Sequence, residues 1–228
     1  MAALLETGEL SVDDVHAVAR RIAAFHAGAV LPRDPAGSGA AKRQIDENFQ
    51  PLLDLDLSTD ELHALAAAQR FFDATLVARS ATLNRRARGG RVRDGHGDLR
   101  LEHVIVRDGG VKVFDCVEFD PALRQIDVGA DLGYLLMDLF AHDAEALADE
   151  LVGAYRRAGG DPGDDALLAF FAAYRAWVRV KLGYLNDERP EQLVQVAQRL
   201  RWRARRPLLL VVCGVTASGK STSRRAAD

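Results

Sequence analysis

The sequence holds almost no cysteine, no long apolar run and no large excess of charge of one sign, and each absence removes a class of protein. Only Cys116 and Cys213 occur in 228 residues. They lack ligand-like spacing, so neither a disulfide framework nor a cysteine-bound zinc is expected, and both read as small buried apolar side chains. Apolar runs such as residues 208–212 with Cys213 are far too short to span a bilayer, so no membrane partner is expected. The opening stretch MAALLETGELSVDD has no basic start and no uninterrupted apolar segment. No secretory signal is read, and the chain is expected to be cytoplasmic. A net charge of −3 offers no general attraction for nucleic acid, which is not expected as a partner. The one basic run, RLRWRARR at 199–206, reads first as a solvated helix face or linker and second as a phosphate-binding patch.

What is present is the composition of a soluble globular protein, 48% hydrophobic and 28% charged, with room for one domain or one and a half. Ser11 with Asp14 marks an N-cap, and Val12, Val15, Ala19, Ile22 and Phe25 then recur at helical spacing until Gly28. Residues 29–41, rich in proline and glycine, read as a loop, and a short helix is expected around 44–53. Ser58 with Glu61 forms a capping box for a helix that runs to about Arg88, where Gly89-Gly90 ends it. The period then changes to two. Residues 91–94 read as a strand, 95–102 as a loop, and 103–107 with 111–115 as a hairpin turning at Asp108-Gly109-Gly110. Helices are expected over 131–140, 144–158, 164–186 and 191–203.

The segment GHGDLRLEHVIVRDGGVKVFDCVEFDPALRQIDVGADLGYLLMD, from Gly95 to Asp138, carries the chemistry. His96-Gly97-Asp98, then His103, then Asp115 at the end of an apolar strand repeat the order of base, metal ligand and metal ligand in kinase-type catalytic loops. Phosphoryl transfer asks a protein mainly to position the acceptor hydroxyl and to hold magnesium against the phosphates. Asp98 can accept the hydroxyl proton, and Asp115 can offer the hard oxygen that magnesium prefers. The plainer alternative makes His96, Asp98 and Asp115 turn and cap residues of a structural hairpin. His103 stands where asparagine is usual. Its imidazole can bind divalent metals, but magnesium favours oxygen, which leaves Glu102 or water as the alternative ligand. Glu118 is a weaker candidate for assisting the metal, and the lone histidines His16 and His26 read as structural.

At these residues the sequence resembles the aminoglycoside phosphotransferase and choline kinase superfamily, whose loop reads HGDxxxxN followed by a strand ending in Asp. The stretch DCVEFDPALRQIDVGADLGYLLMDL is similar to bacterial proteins that join such a domain to a P-loop ATPase domain. The resemblance implies an α+β, mostly helical fold: a protein-kinase-like C-lobe with a small antiparallel hairpin over residues 1–203. It implies ATP and Mg2+ as cofactors and a small-molecule hydroxylated acceptor. Asp98 with His96 would be catalytic, Asp115 with His103 would hold metal, and Asp131 would be the helix-start residue that braces the loop, a simple N-cap being the alternative.

A second signature, Gly214-Val215-Thr216-Ala217-Ser218-Gly219-Lys220-Ser221, follows an apolar strand at 208–213 and matches G-x-x-x-x-G-K-S. In such a loop backbone N–H groups cradle phosphates, the lysine reaches the terminal phosphates and the serine hydroxyl meets magnesium. Gly214, Ser218, Gly219, Lys220, Ser221 and Thr222 are therefore nucleotide-binding candidates. Residues 204–228 read as the start of an α/β P-loop domain. With no partner strand and a following helix of two turns at most, the loop is expected to be inert here. No N-lobe precedes Ser11, so the chain reads as cut at both ends, with the N-lobe and the rest of the P-loop domain expected in a parent protein. The functional expectation is an ATP-dependent phosphotransferase fragment, weak or inactive alone. The alternatives are a non-catalytic, kinase-derived helical module and a P-loop ATPase or small-molecule kinase fragment.

Overall fold

Two capping boxes set the long helices of the first half. The Ser11 hydroxyl accepts from the Asp14 amide while the Asp14 carboxylate accepts from Ser11, and Ser58 and Glu61 repeat the exchange. Each satisfies orphan N–H groups at a helix start. A computed structural model describes residues 1–30, 37–107 and 110–205. After a short α1 (Ala2–Glu6) it contains α2 (Val12–Gly28), α3 (Ser38–Phe49) and α4 (Thr59–Arg88), which ends at Gly89 as expected. α3 begins well before the expected start at Gln44. The Ser38 amide finds an acceptor in Asn84 Oδ1 of α4, 2.9 Å away, so the cap comes from another helix and leaves no local sequence signal. A 3-10 turn at Gln50–Asp54, not helix, follows it.

Among the described residues, four short strands make two antiparallel ribbons. β1 (Val92–Asp94) pairs with β4 (Gln125–Asp127), Val92 opposite Asp127. β2 (Val104–Arg107) pairs with β3 (Gly110–Val113), Val104 opposite Val113. The second ribbon is the expected hairpin, although Asp108 and Gly109 of its turn lie outside the described residues. The first was not expected, since three residues such as QID are too few to display a period of two.

α5 (Val128–Ala141) is buried along nearly its whole length and packs against α6 (Glu145–Arg157), α7 (Asp165–Leu185) and α8 (Glu191–Arg203). α2 covers α6, while α3 and α4 approach from the other side. There Phe49 meets Phe72 and Trp177, and Phe72 meets Phe170, at ring-centroid distances of 5.2–5.5 Å, the tilted contacts aromatic rings favour. The Arg86 guanidinium, at the end of α4, grips both oxygens of Asp127 at 2.7 and 2.8 Å and also reaches Asp161. That paired buried charge fixes the β4–α5 junction, from which the site hangs.

The fold is thus α+β and mostly helical with small antiparallel pairings, as expected. Among the described residues no helix is long and apolar enough to cross a membrane. Cys116 departs from expectation: it is exposed, because it lies past the end of β3, where the chain has left the apolar core. Cys213, the strand expected at 208–213 and the whole Gly214–Thr222 motif lie outside the described residues. From the basic run, Arg199 pairs with Asp143 and Glu145, and Arg203 with Asp149, so its described part ties α8 to the α5–α6 region.

Candidate active site

The loop between β1 and β2 is held from beneath by α5. Asp131 Oδ2 accepts the His96 amide at 2.7 Å and Oδ1 accepts the Gly97 amide at 3.0 Å. Nε2 of His26, on α2, lies 3.0 Å from the same Oδ2, and its Nδ1 lies 2.8 Å from the Tyr155 hydroxyl. An ionised carboxylate only accepts, so Nε2 carries the proton and Nδ1 accepts from Tyr155. Burial alone would raise the Asp131 carboxyl, but the hydrogen bond from His26, together with that from the His96 amide, holds it below the usual range. Burial, reinforced by Asp131, pushes the Tyr155 phenol up and keeps it a donor. Asp131 was expected at the helix start. The cap is instead Asp127, which accepts from the Gly129 amide, and Asp131 lies one turn further on, where α5 passes under the loop.

A second brace went unread in the sequence. Asp138 Oδ2 accepts the Leu101 amide at 2.9 Å. Asp131 and Asp138 stand two turns apart on one face of an otherwise apolar helix, and that spacing was the available signal. His26 and Tyr155 offered none, since each is one polar residue among several on an amphipathic helix.

Two glycines let the loop come this close. A Cβ on Gly95 would sit 2.7 Å from Asp131 Oδ2, and Gly97 has φ +82°, a left-handed conformation that side chains resist. His96, expected among the catalytic side chains, is buried with both ring nitrogens engaged. Nε2 donates to the Phe114 carbonyl at 2.7 Å, and Nδ1 accepts from the Asp98 amide at 3.3 Å. Its role is to fasten the Asp98 loop to the end of the hairpin.

Asp98, His103 and Asp115 are brought together. His103 Nδ1 donates to the Asp98 carbonyl at 2.7 Å and lies 3.6 Å from Asp98 Oδ2. Its Nε2 then faces Asp115 Oδ2 at 3.5 Å and Glu102 Oε1 at 3.7 Å. The rings of His96 and His103 stack with centroids 5.8 Å apart. The Asp98 side chain is 33% exposed and that of Asp115 is 73% exposed, so both carboxylates reach solvent. Arg100, paired with Glu102, adds a cation whose Nε is buried without a partner.

Asp115 has φ +62°. Asp143 and Asp187 share that conformation but follow helix ends, where it is common. Asp115 follows a strand, so no cap explains the strain, and backbone strain of this kind collects at functional sites. Glu118 is exposed and joins none of these contacts.

Among the described residues no group of three or more His, Cys, Asp or Glu side chains is arranged to hold a metal ion by itself. Magnesium, however, is commonly held by one or two carboxylates, waters and substrate phosphates. Asp115 and Glu102, flanking a ring whose Nε2 faces both, are the side chains that could hold such an ion.

The fold and this geometry define a mostly helical α+β chain in which a carboxylate-bearing loop is fixed from below by a buried aspartate. In sequence it is similar to uncharacterized proteins of Mycobacterium bovis and Mycobacterium tuberculosis, 30% identical over 240 residues, an alignment covering 99% of this chain and 47% of theirs. The chain thus spans about half the length of the curated relatives it matches. No protein-family profile matches the chain, and no solved structure matches it.

Proposed function

We propose that the chain is the protein-kinase-like C-lobe of an ATP-dependent phosphotransferase acting on a small hydroxylated acceptor. The observation that carries this reading is the placement of Asp98 and Asp115 on opposite nitrogens of one ring, His103, at 3.6 and 3.5 Å, with both carboxylates open to solvent. Structural turn residues have no need to gather about one ring. Asp98 takes the proton from the acceptor hydroxyl as its oxygen bonds to the γ-phosphorus and the bond to the β-phosphate oxygen breaks, releasing ADP. Asp115, with Glu102 or His103, would hold magnesium, which neutralises charge on the phosphates. His96 and Asp131 keep the Asp98 backbone in place, and positioning is most of what this chemistry requires.

The activity of the whole protein, which in the relatives is about twice as long, is part of the same proposal. The test is calorimetry of Mg–ADP binding to the chain carrying Lys220→Ala, which removes any contribution from the Gly214–Thr222 motif. Adding Asp115→Ala is expected to weaken binding about tenfold or more, the scale of a lost charged contact. Equal heats with and without Asp115 would reject the reading.

A further inference from the structure

A cavity of about 50 Å3 lies between α3, the β1–β4 ribbon and α7, bordered by Gln44, Val92, Gln125, Phe171, Tyr174 and Arg175. That is room for a few waters or one carboxylate-sized group. Arg175 is only 6% exposed. Its Nε donates to the Ala130 carbonyl at 3.2 Å and its Nη1 to the Tyr134 hydroxyl at 3.5 Å. Its guanidinium lies 4.3 Å from the Tyr134 ring centroid and 5.3 Å from that of Tyr174. Among the described residues no carboxylate lies within ion-pair distance of it.

Arg86 shows what a buried arginine elsewhere in this fold receives. It is 8% exposed, yet both oxygens of Asp127 and one of Asp161 neutralise it. The Nε and Nη1 of Arg175 meet only neutral acceptors, Nη2 has no protein acceptor among the described residues, and nothing there neutralises the guanidinium charge. Asp127 also borders the cavity, but Arg86 and the Gly129 amide already occupy its oxygens. Aromatic stacking favours a desolvated guanidinium without supplying the acceptors its remaining donors lack.

The cavity abuts the machinery described above. Ala130, which borders it, immediately precedes the brace Asp131, and Tyr134 stands one turn further along α5. The Tyr134 phenol is pushed up mainly by burial, while the charges of Arg175 and Asp98 act on it in opposite senses, so it lies within the field of both.

We propose that Arg175 binds an oxyanion, a carboxylate or phosphate ester, carried by the acceptor. The assignment to an acceptor rests on the phosphotransferase reading; the oxyanion site itself does not. It implies that the acceptor is an anionic hydroxy compound and not a polycation.

The test titrates acetate, inorganic phosphate and, as a cationic control, tetramethylammonium into the full chain carrying Lys220→Ala, following the Arg175 side-chain Nε–Hε resonance by NMR. A saturable shift with either anion and none with the cation is expected. A stronger response to acetate marks a carboxylate, and a stronger response to phosphate marks a phosphate ester. Arg175→Met should abolish the anion-dependent rise in thermal stability. Should that variant fail to fold, Arg175→Lys should keep the response with affinity weakened about tenfold. An Arg175 resonance indifferent to both anions, or an undiminished response in Arg175→Met, overturns the proposal. Calorimetry of Mg–ADP on the same sample reports separately on the nucleotide site. Anion binding with no nucleotide binding would sink the phosphotransferase reading and leave the Arg175 site standing.

Discussion

Nε2 of His26 lies 3.0 Å from Oδ2 of Asp131, and both side chains are shut away from solvent. The pair joins residues 105 positions apart, so the shape of the Asp98 loop depends on the seating of α2 against α6 as well as on the loop's own sequence. A buried carboxylate with three donors is a rigid point of attachment, and truncating it leaves those donors without an acceptor.

Asp131→Ala should therefore destabilise the chain by about 3 kcal/mol, as expected when one partner of a buried charged network is removed. Mg–ADP binding should weaken with it, although Asp131 touches no substrate. Urea unfolding and calorimetry check this, and a stability change under about 0.5 kcal/mol would mean the loop holds its own shape.

Gly97→Ala should lower stability through both strain and crowding. The left-handed backbone alone is worth about 1–2 kcal/mol. The new Cβ would also meet Leu123 O, Arg124 Cβ and Val117 Cγ2 at 3.1 Å. Gly159, at φ +88° with nothing within 4 Å, supplies the control for strain alone. Paired thermal melts should rank Gly97→Ala below Gly159→Ala, and the reverse order would show that the loop relaxes around a methyl group.

Asp115→Gly separates stability from function. Its left-handed conformation costs an aspartate energy that glycine does not incur, so the variant should be as stable as the parent or about 0.5 kcal/mol more so. It should bind Mg–ADP more weakly. A clear loss of stability in chemical denaturation would make Asp115 a structural turn residue and remove it from the site.

Acid should loosen the start of α4. Hydrogen bonds from the Ser58 hydroxyl, the Tyr184 hydroxyl and the Ser58 amide hold the Glu61 carboxyl at about 2 against an ordinary 4.5. A group depressed in the folded state contributes stability above its unfolded value and loses it as pH falls, here from about 4.5 down to about 2. Melting temperature followed from pH 6 to pH 2 should show a steeper fall for the parent than for Glu61→Gln, and parallel curves would contradict the assignment.

The sequence made legible what is local. The capping boxes at Ser11 and Ser58, the hairpin, and α5 to α8 all follow from spacing within a few residues. Asp98, His103 and Asp115 meet because one hairpin register brings a loop beside the end of β3. What stayed hidden depends on contacts between distant segments. α3 starts early because Asn84 caps it, β4 forms only against β1, and His26, Asp138 and Arg86 find their partners through tertiary packing. Cys116 was misjudged because a thiol beside apolar residues reads as buried even where the chain has left the core. The misplaced start of α5 has a simpler origin: Asp127 and Asp131 are both plausible caps, and only the packing beneath the loop separates them.

The central claim, that the Asp98 and Asp115 carboxylates share one metal–nucleotide site, is tested most directly by paramagnetic broadening. Mn–ADP is added to the isotopically labelled chain carrying Lys220→Ala, and amide signals are followed residue by residue. The account predicts selective broadening at Asp98, His103 and Asp115, with the Phe72 region in the core unaffected. Unchanged signals at those three positions, or broadening confined to a different face, would contradict it.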